Sequence, residues 1–395
     1  MMDENKTLRI RLHSLAIFRG LLEDPVVSQL DALLRAQPSD AEACVDAYCA
    51  FAAALYEKGG DLSAYLLKAV LEDENLYIRR AASGADVPAE LAECLRRELC
   101  FLQELSRFDG EALRIALNDL PLPFWRTQKL DFAACYEENI RTLPLHGYGI
   151  YAKYHVFTVH NGTIIPVKHP DPQRLDELSG YEGERGKVIA NTRALLEGRP
   201  ASNVLLYGDA GTGKSSTVKA VASAFAHEGL RLIEVKKNQL YQIPDLVETL
   251  SANPLKFILF IDDLSFSTND NDFAALKAIL EGSVSTRSSN LAVYATSNRR
   301  HLVKETFSHR EADELHLADT MQELMSLSAR FGLTITFSRP DKELYCHIVQ
   351  NLALLYGIEM PENELMIKAE AHAIRNGGRS PRVAKQFIEL LKAEV

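Results

Sequence analysis

The sequence predicts an α/β protein in which a parallel sheet follows a mainly helical region and precedes a small helical subdomain. Two observations predict this fold class. Short apolar, β-branched runs alternate with helical stretches after residue 173, which is typical of a parallel sheet covered on both faces. A glycine-rich segment also stands between one such run and the helical stretch that follows it. The 395 residues leave room for roughly two to three domains at about 150 residues each.

The composition excludes several classes of protein. Hydrophobic residues make up 47% and charged residues 25%, so buried cores are expected and disorder is not. The net charge of -10 disfavours a basic protein that coats nucleic acid. No apolar run approaches about 18 residues, and the acidic start lacks the pattern of a signal peptide, so we expect no membrane segment. Six cysteines without a CxxC pair fit free thiols of a cytoplasmic protein rather than a zinc or redox site.

Residues 1 to about 130 are predicted to be mainly helical, because apolar side chains recur three and four positions apart. Side chains at this spacing line one face of a helix. We expect that face to pack into the core rather than to bind a partner. A proline-containing break follows, with the single tryptophan, Trp125, as an expected packing anchor. The clearest apolar stripe consists of Leu91, Leu95, Leu99, Leu102 and Leu105.

A β-hairpin is predicted to end this N-terminal domain. Residues 150–159 are β-rich, and Asn161-Gly162 separates them from a second such run. Both turn residues tolerate positive φ, which predicts a tight hairpin, and Pro166 places the second strand at a sheet edge. His169-Pro170-Asp171-Pro172 is typical of an extended linker, so we place the boundary of a 1–172 domain there.

Five strands are predicted after the linker, separated by helical stretches such as Ser215–Glu228 and Phe273–Glu281. This alternation implies a parallel five-stranded sheet. From Asp341 to the end the strands stop and three helical stretches remain, which divides the rest of the chain into a core, 173–338, and a helical subdomain, 339–395. The predicted strands are Val204–Tyr207, Leu230–Val235, Phe257–Ile261, Leu291–Thr296 and Leu333–Phe337.

A phosphate-binding loop is predicted directly after the first of these strands. Residues 208–215 match GxxxxGK[ST] at every fixed position, between a strand and a helix. The glycines let backbone N–H groups curl around phosphate oxygens, and the helix N-terminus directs its positive dipole end there. Lys214 is expected to reach the β- and γ-phosphates and the Ser215 hydroxyl to bind Mg²⁺. Nucleotide binding is therefore expected from Gly208, Asp209, Ala210, Gly211, Thr212, Gly213, Lys214, Ser215 and Ser216.

Two carboxylates, Asp262 and Asp263, follow the third strand. At the carboxyl end of a parallel strand they would face the nucleotide crevice. Asp262 is expected to hold Mg²⁺, directly or through water, and Asp263 to polarise the attacking water. A turn or helix cap is the alternative, since Asp is common at strand ends. The phosphate loop at a typical βαβ distance upstream favours the metal and water roles.

Together with further motifs in the same order, residues 173–395 resemble the AAA+ ATPases. The run Leu291–Asn298 is similar to the sensor 1 strand, which implies that Asn298 holds the lytic water or the γ-phosphate. Arg330 precedes the last strand, where this superfamily places an arginine finger that acts on a neighbouring subunit. Arg382 matches the sensor 2 position in the lid, with Arg379 as the alternative.

The segment Leu175–Tyr181 resembles the AAA+ box that cradles adenine, which implies base contacts from Gly180 and Tyr181. The chain is also similar to a bacterial domain-of-unknown-function family of predicted AAA+-type ATP-binding proteins. That likeness includes the helical N-terminal region with its hairpin. It rests further on Leu205–Ser216, Phe257–Phe266, Ala295–Leu302 and Ser326–Gly332.

The resemblance implies an ATPase that uses ATP and Mg²⁺, forms homo-oligomers with Arg330 acting in trans, and remodels or loads a partner. The N-terminal domain would bind that partner. A departure from many AAA+ enzymes is Asp263, where Glu is commoner, and its shorter reach implies slow hydrolysis. A low-turnover, ATP-dependent switch or scaffold is therefore the alternative. A P-loop kinase is a weaker alternative, because a kinase does not require the sensor and finger motifs.

The sequence alone does not identify the partner. A protein client is favoured because the chain is acidic. Nucleic acid is the second choice, since the local basic clusters lack the interleaved aromatic residues that stack bases. Those clusters are Lys236-Lys237 and Arg299-Arg300-His301 with Lys304.

Overall fold

The computed structural model describes residues 2–37, 39–117, 120–264, 289–298 and 330–393, together with Leu276 and Leu280. The chain forms two compact units, 1–153 and 154–395. Within the described residues, no helix combines the length and apolar character that crossing a bilayer requires. The basic cluster at 299–304 and most of the helix predicted at Phe273–Glu281 lie outside the described residues.

The first unit is helical, as the apolar periodicity predicted. Aspartates and an asparagine begin several of its helices, and each accepts a hydrogen bond from a backbone N–H of the first turn, as at Asp24, Asp61 and Asn75. The described helices are α1 (Met2–His13), α2 (Pro25–Arg35), α3 (Ala41–Tyr56), α4 (Leu62–Glu72), α5 (Leu76–Ala82), α6 (Ala89–Leu105), α7 (Glu111–Ala116), α8 (Phe132–Arg141), α9 (Leu143–His146) and α10 (Ile150–Lys153).

Trp125 anchors the core of this unit. Its ring lies 4.8 Å from that of Phe51 and 5.1 Å from that of Tyr48, measured between centroids. Its Nε1 donates a 2.7 Å hydrogen bond to the carbonyl oxygen of Phe108, so the polar end of the buried indole is satisfied. Leu95, Leu99, Leu102 and Leu105 are buried in the same core, which confirms the prediction that this apolar stripe faces the core.

The second unit is built on one mostly parallel sheet, in the order β2-β1-β4-β5-β6-β3-β7. The five predicted strands are present, so the α/β class is confirmed, but the part of the chain that the structure describes contributes seven strands to the sheet rather than five. The strands are β1 (Val156–His160), β2 (Thr163–Pro166), β3 (Val204–Gly208), β4 (Leu230–Glu234), β5 (Lys256–Ile261), β6 (Leu291–Ser297) and β7 (Leu333–Phe337).

The additional strands come from the predicted hairpin. Asn161 and Gly162 both take positive φ at its turn, and β2 forms the antiparallel edge, as Pro166 indicated. However, β1 pairs in parallel with β4, with Val156 opposite Leu232. The hairpin therefore belongs to the second unit, and the boundary placed after residue 172 is corrected to one between Lys153 and Tyr154. The physical reason is the open edge of β4, whose backbone groups β1 satisfies.

Helices cover this sheet and form the lid. Three helices follow β7, as predicted, and they share a hydrophobic core with β3, β4 and β7 through residues such as Tyr345, Ile348 and Phe387. The described helices of this unit are α11 (Glu182–Leu196), α12 (Lys214–Ala224), α13 (Ile243–Ser251), α14 (Lys342–Tyr356), α15 (Glu362–Arg375) and α16 (Pro381–Lys392).

Strand order decides which side chains meet. β6 lies between β3 and β5, with Leu206 of β3 opposite Thr296 and Ile261 of β5 opposite Ala295. The carboxyl ends of these three parallel strands therefore meet at one edge. The phosphate loop follows β3, Asp262 follows β5, and Asn298 follows β6 at that edge.

Candidate functional site

The phosphate loop is shaped by glycines in left-handed or extended positive-φ conformations. Gly208 has φ 138° and lies so close to β7 that an added Cβ would overlap the carbonyl oxygen of Phe337. Gly211 and Gly213 take φ values of 79° and 90°, and Gly213 is the N-cap of α12. The Thr212 hydroxyl donates to the Asp209 carbonyl oxygen over 2.8 Å, which closes the loop. Only glycine fits these positions without strain, so the motif is a requirement of backbone geometry.

Lys214 is the first residue of α12, at the end of this loop, and is 5% exposed. Its Nζ donates to the carbonyl oxygens of Gly208 and Asp209 over 2.9 Å and 2.6 Å. Burial lowers the pKa of this ammonium group, and the nearby carboxylates of Asp209 and Asp262 oppose the decrease. Carbonyl dipoles of the loop thus help to hold a positive charge over it, which suits a site that receives an anion.

Asp262 is the centre of a hydroxyl cluster at the edge of the sheet. Its Oδ1 accepts hydrogen bonds from Ser215 Oγ at 2.6 Å and from Thr296 Oγ1 at 2.5 Å. Thr296 in turn accepts a hydrogen bond from the backbone N–H of Asp263 over 2.9 Å. A hydroxyl and a carboxylate placed together form the hard oxygen set that Mg²⁺ prefers, so these side chains fit a magnesium ion.

Asp263 has φ 52°, a left-handed conformation that is uncommon for a residue other than glycine. Its Oδ1 accepts a hydrogen bond from Asn298 Nδ2 over 2.8 Å. The next residue, Leu264, donates its N–H to the carbonyl oxygen of Thr296 over 2.7 Å, which ties the turn after β5 to β6. The carboxylate is therefore oriented by a neighbouring strand rather than left to rotate in solvent.

The lid brings Arg382 to the same place. The backbone N–H of Arg382 donates to the Gly211 carbonyl oxygen over 3.2 Å, at the first turn of α16. The alternative residue, Arg379, is paired with Glu370 over 2.9 Å within the lid and does not line the cavity. Arg382 is thus the lid arginine that faces the phosphate loop, which favours the first of the two sequence assignments.

These side chains line one cavity of about 760 Å³. From the loop it reaches Ala210, Gly211, Gly213, Lys214, Ser215 and Ser216. On the sheet edge it is lined by Asp262, Asp263, Thr296 and Asn298, and on the lid by Leu352, Leu355, Tyr356, Pro381, Arg382, Lys385 and Lys392. Gln173, Glu177 and Leu178 also line it. Gly208, Asp209 and Thr212 shape the loop without lining the cavity.

Neither Gly180 nor Tyr181, from which adenine contacts were expected, lines this cavity. Both take left-handed φ values just before α11, and that turn directs the Tyr181 ring into the core, 5.3 Å from the Phe337 ring between centroids. The Tyr181 hydroxyl donates to the Ser338 carbonyl oxygen over 2.6 Å. Burial raises the pKa of Tyr181 above its usual range. Glu177 and Leu178, slightly upstream, line the cavity.

Arg330 lies apart from the other site residues of its own chain. It precedes β7, whose first residue, Leu333, pairs with Val204 at the start of β3, whereas the loop follows Gly208 at the end of that strand. At about 3.3 Å per residue, the length of the strand separates Arg330 from the loop by roughly 15 Å. Arg330 therefore does not line the cavity of its own chain.

Thr296 was not singled out in the sequence, although its hydroxyl joins the Asp262 carboxylate to the backbone N–H of Asp263. A signal was present: it is a polar residue near the end of a mainly apolar strand, two positions before Asn298. It is 2% exposed, so its hydroxyl has to find partners within the protein, and those partners are Asp262 and Asp263.

A profile of the family described as "Protein of unknown function (DUF815)" matches residues 151–395, which is more than half of the chain. The chain belongs to the DUF815 family. The DUF815 match begins just before β1, so the hairpin lies inside the region that the family shares. The family resemblance expected from the motifs is confirmed over residues 151–395, and the helical region before them lies outside the match. The fold of the second unit is AAA+ ATPase-like: a phosphate loop on a mostly parallel sheet with a helical lid.

Several other proteins are similar to this DUF815 member. The replication factor C large subunit of Thermofilum pendens is 28% identical over 116 residues, which is 28% of each chain. The Thermotoga maritima RuvB Holliday junction branch migration motor is 18% identical, with a TM-score of 0.38 over 56% of this chain and 65% of that one. The AAA domain of FIGL-1, solved with ADP, is 18% identical, with a TM-score of 0.39 over 57% of this chain and 74% of that one. These partial likenesses say nothing about activity or partners.

Proposed function

We propose that the chain is a Mg²⁺-dependent ATPase whose turnover drives conformational change or assembly of a partner. One observation carries the proposal: Ser215 and Thr296 both donate to Asp262, beside Asp263 and within one cavity shared with Lys214. A merely structural loop has no need of two carboxylates, a buried lysine and a lid arginine in the same cavity.

Each side chain has a role in this proposal. Bound ATP with Mg²⁺ supplies the phosphoanhydride bond that is cleaved. Ser215 and Asp262 hold the metal ion, and Lys214 neutralises phosphate charge. Asp263 polarises the attacking water, with Asn298 orienting its carboxylate. Arg382 adds positive charge from the lid.

Arg330 is assigned to the neighbouring subunit of a homo-oligomer. Its place at the far end of β7 from the phosphate loop keeps it from its own chain's cavity. An arginine that stabilises transition-state charge is effective when it is supplied in trans. The proposal therefore expects hydrolysis to depend on protein concentration.

A protein client is the favoured partner, and the helical unit 1–153 is its proposed binding module. The net charge of -10 opposes binding to a polyanion. Nucleic acid remains the second choice, because the local basic cluster Lys236-Lys237 lacks the interleaved aromatic residues that stack bases. A cytoplasmic location fits the six cysteines, none of which forms a disulfide.

A low-turnover, ATP-dependent switch is a second candidate, and the hydrogen bond from Asn298 to Asp263 favours it. A short carboxylate that is already held by an amide has less freedom to approach a water molecule. ATP would then change assembly or lid position without rapid hydrolysis.

The test measures phosphate release from ATP over a range of protein concentrations, with and without Mg²⁺. Lys214→Ala should abolish ATP binding, whereas Asp263→Asn should retain binding and lose hydrolysis. ATP binding without Mg²⁺-dependent release at any concentration would leave only the switch, and no binding would refute both. Phosphate appearing on an acceptor rather than in solution would indicate the kinase alternative.

A further inference from the structure

Arg339 connects the phosphate loop to the lid, although no motif includes it. It lies two residues after β7, and its backbone N–H donates to Asp209 Oδ2 over 3.0 Å. Its guanidinium reaches the other way, and Nη2 donates to the Gly377 carbonyl oxygen over 2.6 Å. One residue thus touches the second position of the phosphate loop and the turn that enters the last lid helix.

The turn at Gly377 and Gly378 is built to receive this guanidinium. Both glycines have positive φ, at 82° and 105°. A Cβ on Gly378 would lie 3.1 Å from Arg339 Cζ, so the guanidinium packs against the bare face of that glycine. The Gly378 N–H donates to the Ala373 carbonyl oxygen over 2.7 Å, which fixes the turn to the end of α15.

The other end of this short segment also touches the phosphate loop. Ser380 caps α16 by accepting the Val383 N–H, and the Arg382 N–H donates to the Gly211 carbonyl oxygen. A Cβ on Gly211 would lie 3.2 Å from both Ser380 Oγ and Arg382 Cβ, so lid and loop are in close contact. The segment 377–382 is therefore attached to the loop at both ends, directly through Arg382 and indirectly through Arg339.

We propose that Arg339 is a positioning residue that sets the Gly377–Gly378 turn and thereby holds Arg382 over the phosphate loop. The proposal rests on the proposed function only in that Arg382 faces a nucleotide. Asp209 gains a role in the same arrangement, because its carboxylate anchors the backbone of Arg339. A change in the loop at Asp209 is then transmitted to the start of α16.

Arg379 provides a matched control in the same segment. It too is an arginine with a fixed partner, but its hydrogen bonds run to Glu370 of α15 and stay within the lid. Replacing it removes an ion pair of the lid without touching the phosphate loop. A comparison of variants at Arg339 and Arg379 therefore distinguishes a loss of lid stability from a loss of the connection between lid and loop.

The first measurement is amide hydrogen exchange in the nucleotide-free, full-length protein. In Arg339→Ala, we expect exchange at the Arg382 amide to rise about tenfold, because the turn that holds it is released. Amides in the middle of α14, such as that of Leu352, should keep their wild-type rates. Arg339→Lys retains a donor that can reach Gly377 and should restore most of the protection. Arg379→Ala should leave the Arg382 amide unchanged.

The second measurement is a double-mutant cycle on the affinity for ATP with Mg²⁺. Arg339→Ala and Arg382→Ala should each weaken binding severalfold, and the double variant should bind no more weakly than Arg382→Ala alone. A residue that only supports folding would give additive losses. If the protein fails to bind ATP, the proposed function is refuted, while the exchange measurement still decides the role of Arg339.

Two results would overturn the proposal about Arg339. One is an unchanged exchange rate at the Arg382 amide in both Arg339 variants. The other is strict additivity of the Arg339→Ala and Arg382→Ala losses in ATP affinity. If Arg339→Ala does not fold, Arg339→Gln serves in its place, since it keeps a longer side chain and removes the charged donor to Gly377.

Discussion

Asn298 donates a hydrogen bond from Nδ2 to Oδ1 of Asp263 over 2.8 Å, across the ends of two neighbouring strands. Asp263 accepts it from a left-handed backbone conformation that Leu264 holds by its hydrogen bond to Thr296. The orientation of the proposed water-polarising carboxylate is therefore set by β6, one strand away from the strand that carries it. This dependence makes the two residues separable by mutation.

Asn298→Ala should lower kcat for ATP by about tenfold or more, because a hydrogen bond to a charged group contributes roughly 1.5–3 kcal/mol when it acts in the transition state. The Kd for ATP should change little, since Lys214 and the loop backbone remain. Steady-state hydrolysis and equilibrium binding measure the two quantities. An increase in kcat would instead identify this hydrogen bond as inhibitory and favour the switch.

Thr296→Val should lower the free energy of unfolding by about 1–3 kcal/mol and raise the Mg²⁺ concentration needed for half-maximal hydrolysis. The substitution keeps the shape of the side chain and removes the hydroxyl that joins Asp262 to the N–H of Asp263. Urea denaturation and a Mg²⁺ titration provide the measurement. The control is Thr334→Val, at an exposed position of β7, which should be nearly neutral in both. Equal effects of the two substitutions would contradict the proposed cluster.

Gly208→Ala should destabilise the protein by at least about 3 kcal/mol or prevent folding, because φ is 138° and the added methyl group would overlap the Phe337 carbonyl. Gly198→Ala is the matched control: its φ of 68° is also left-handed, but the space around it is open. It should cost only about 1 kcal/mol. Thermal unfolding of the two variants separates the cost of atomic overlap from the cost of conformational strain. Similar losses of stability in both would show that overlap with the Phe337 carbonyl is unimportant.

Arg330→Ala should abolish hydrolysis and leave ATP binding intact, because Arg330 is remote from the loop of its own chain. Mixing it with Lys214→Ala should restore part of the activity. In a mixed oligomer, some intact loops then face an intact Arg330 of the neighbouring chain. Phosphate release from each variant alone and from the mixture is the measurement. Failure of the mixture to recover, with subunit exchange verified, would exclude the action in trans.

The predicted strands were accurate because they are short apolar, β-branched runs separated by helical stretches, and β3 and β5 are largely buried along their length. The hairpin turn was equally clear, since Asn161 and Gly162 both need positive φ. The place of the hairpin in the fold was not clear from the sequence. β1 pairs with β4, and the paired residues, such as Val156 and Leu232, are more than 70 positions apart in the chain. A local sequence pattern predicts that a strand forms, but it does not predict which strand pairs with it.

The candidate site likewise has features that the local sequence predicts and features that depend on tertiary contacts. The loop from Gly208 to Ser215 is a local motif, so the sequence by itself determined that a phosphate cradle follows β3 and that carboxylates follow β5. The direction of the Tyr181 ring, the choice of Arg382 over Arg379, and the joining of Asp262 to Thr296 depend on contacts between distant segments. Only the tertiary structure decided these, because hydrogen bonds and packing between strands and lid have no counterpart in the spacing of residues along the chain.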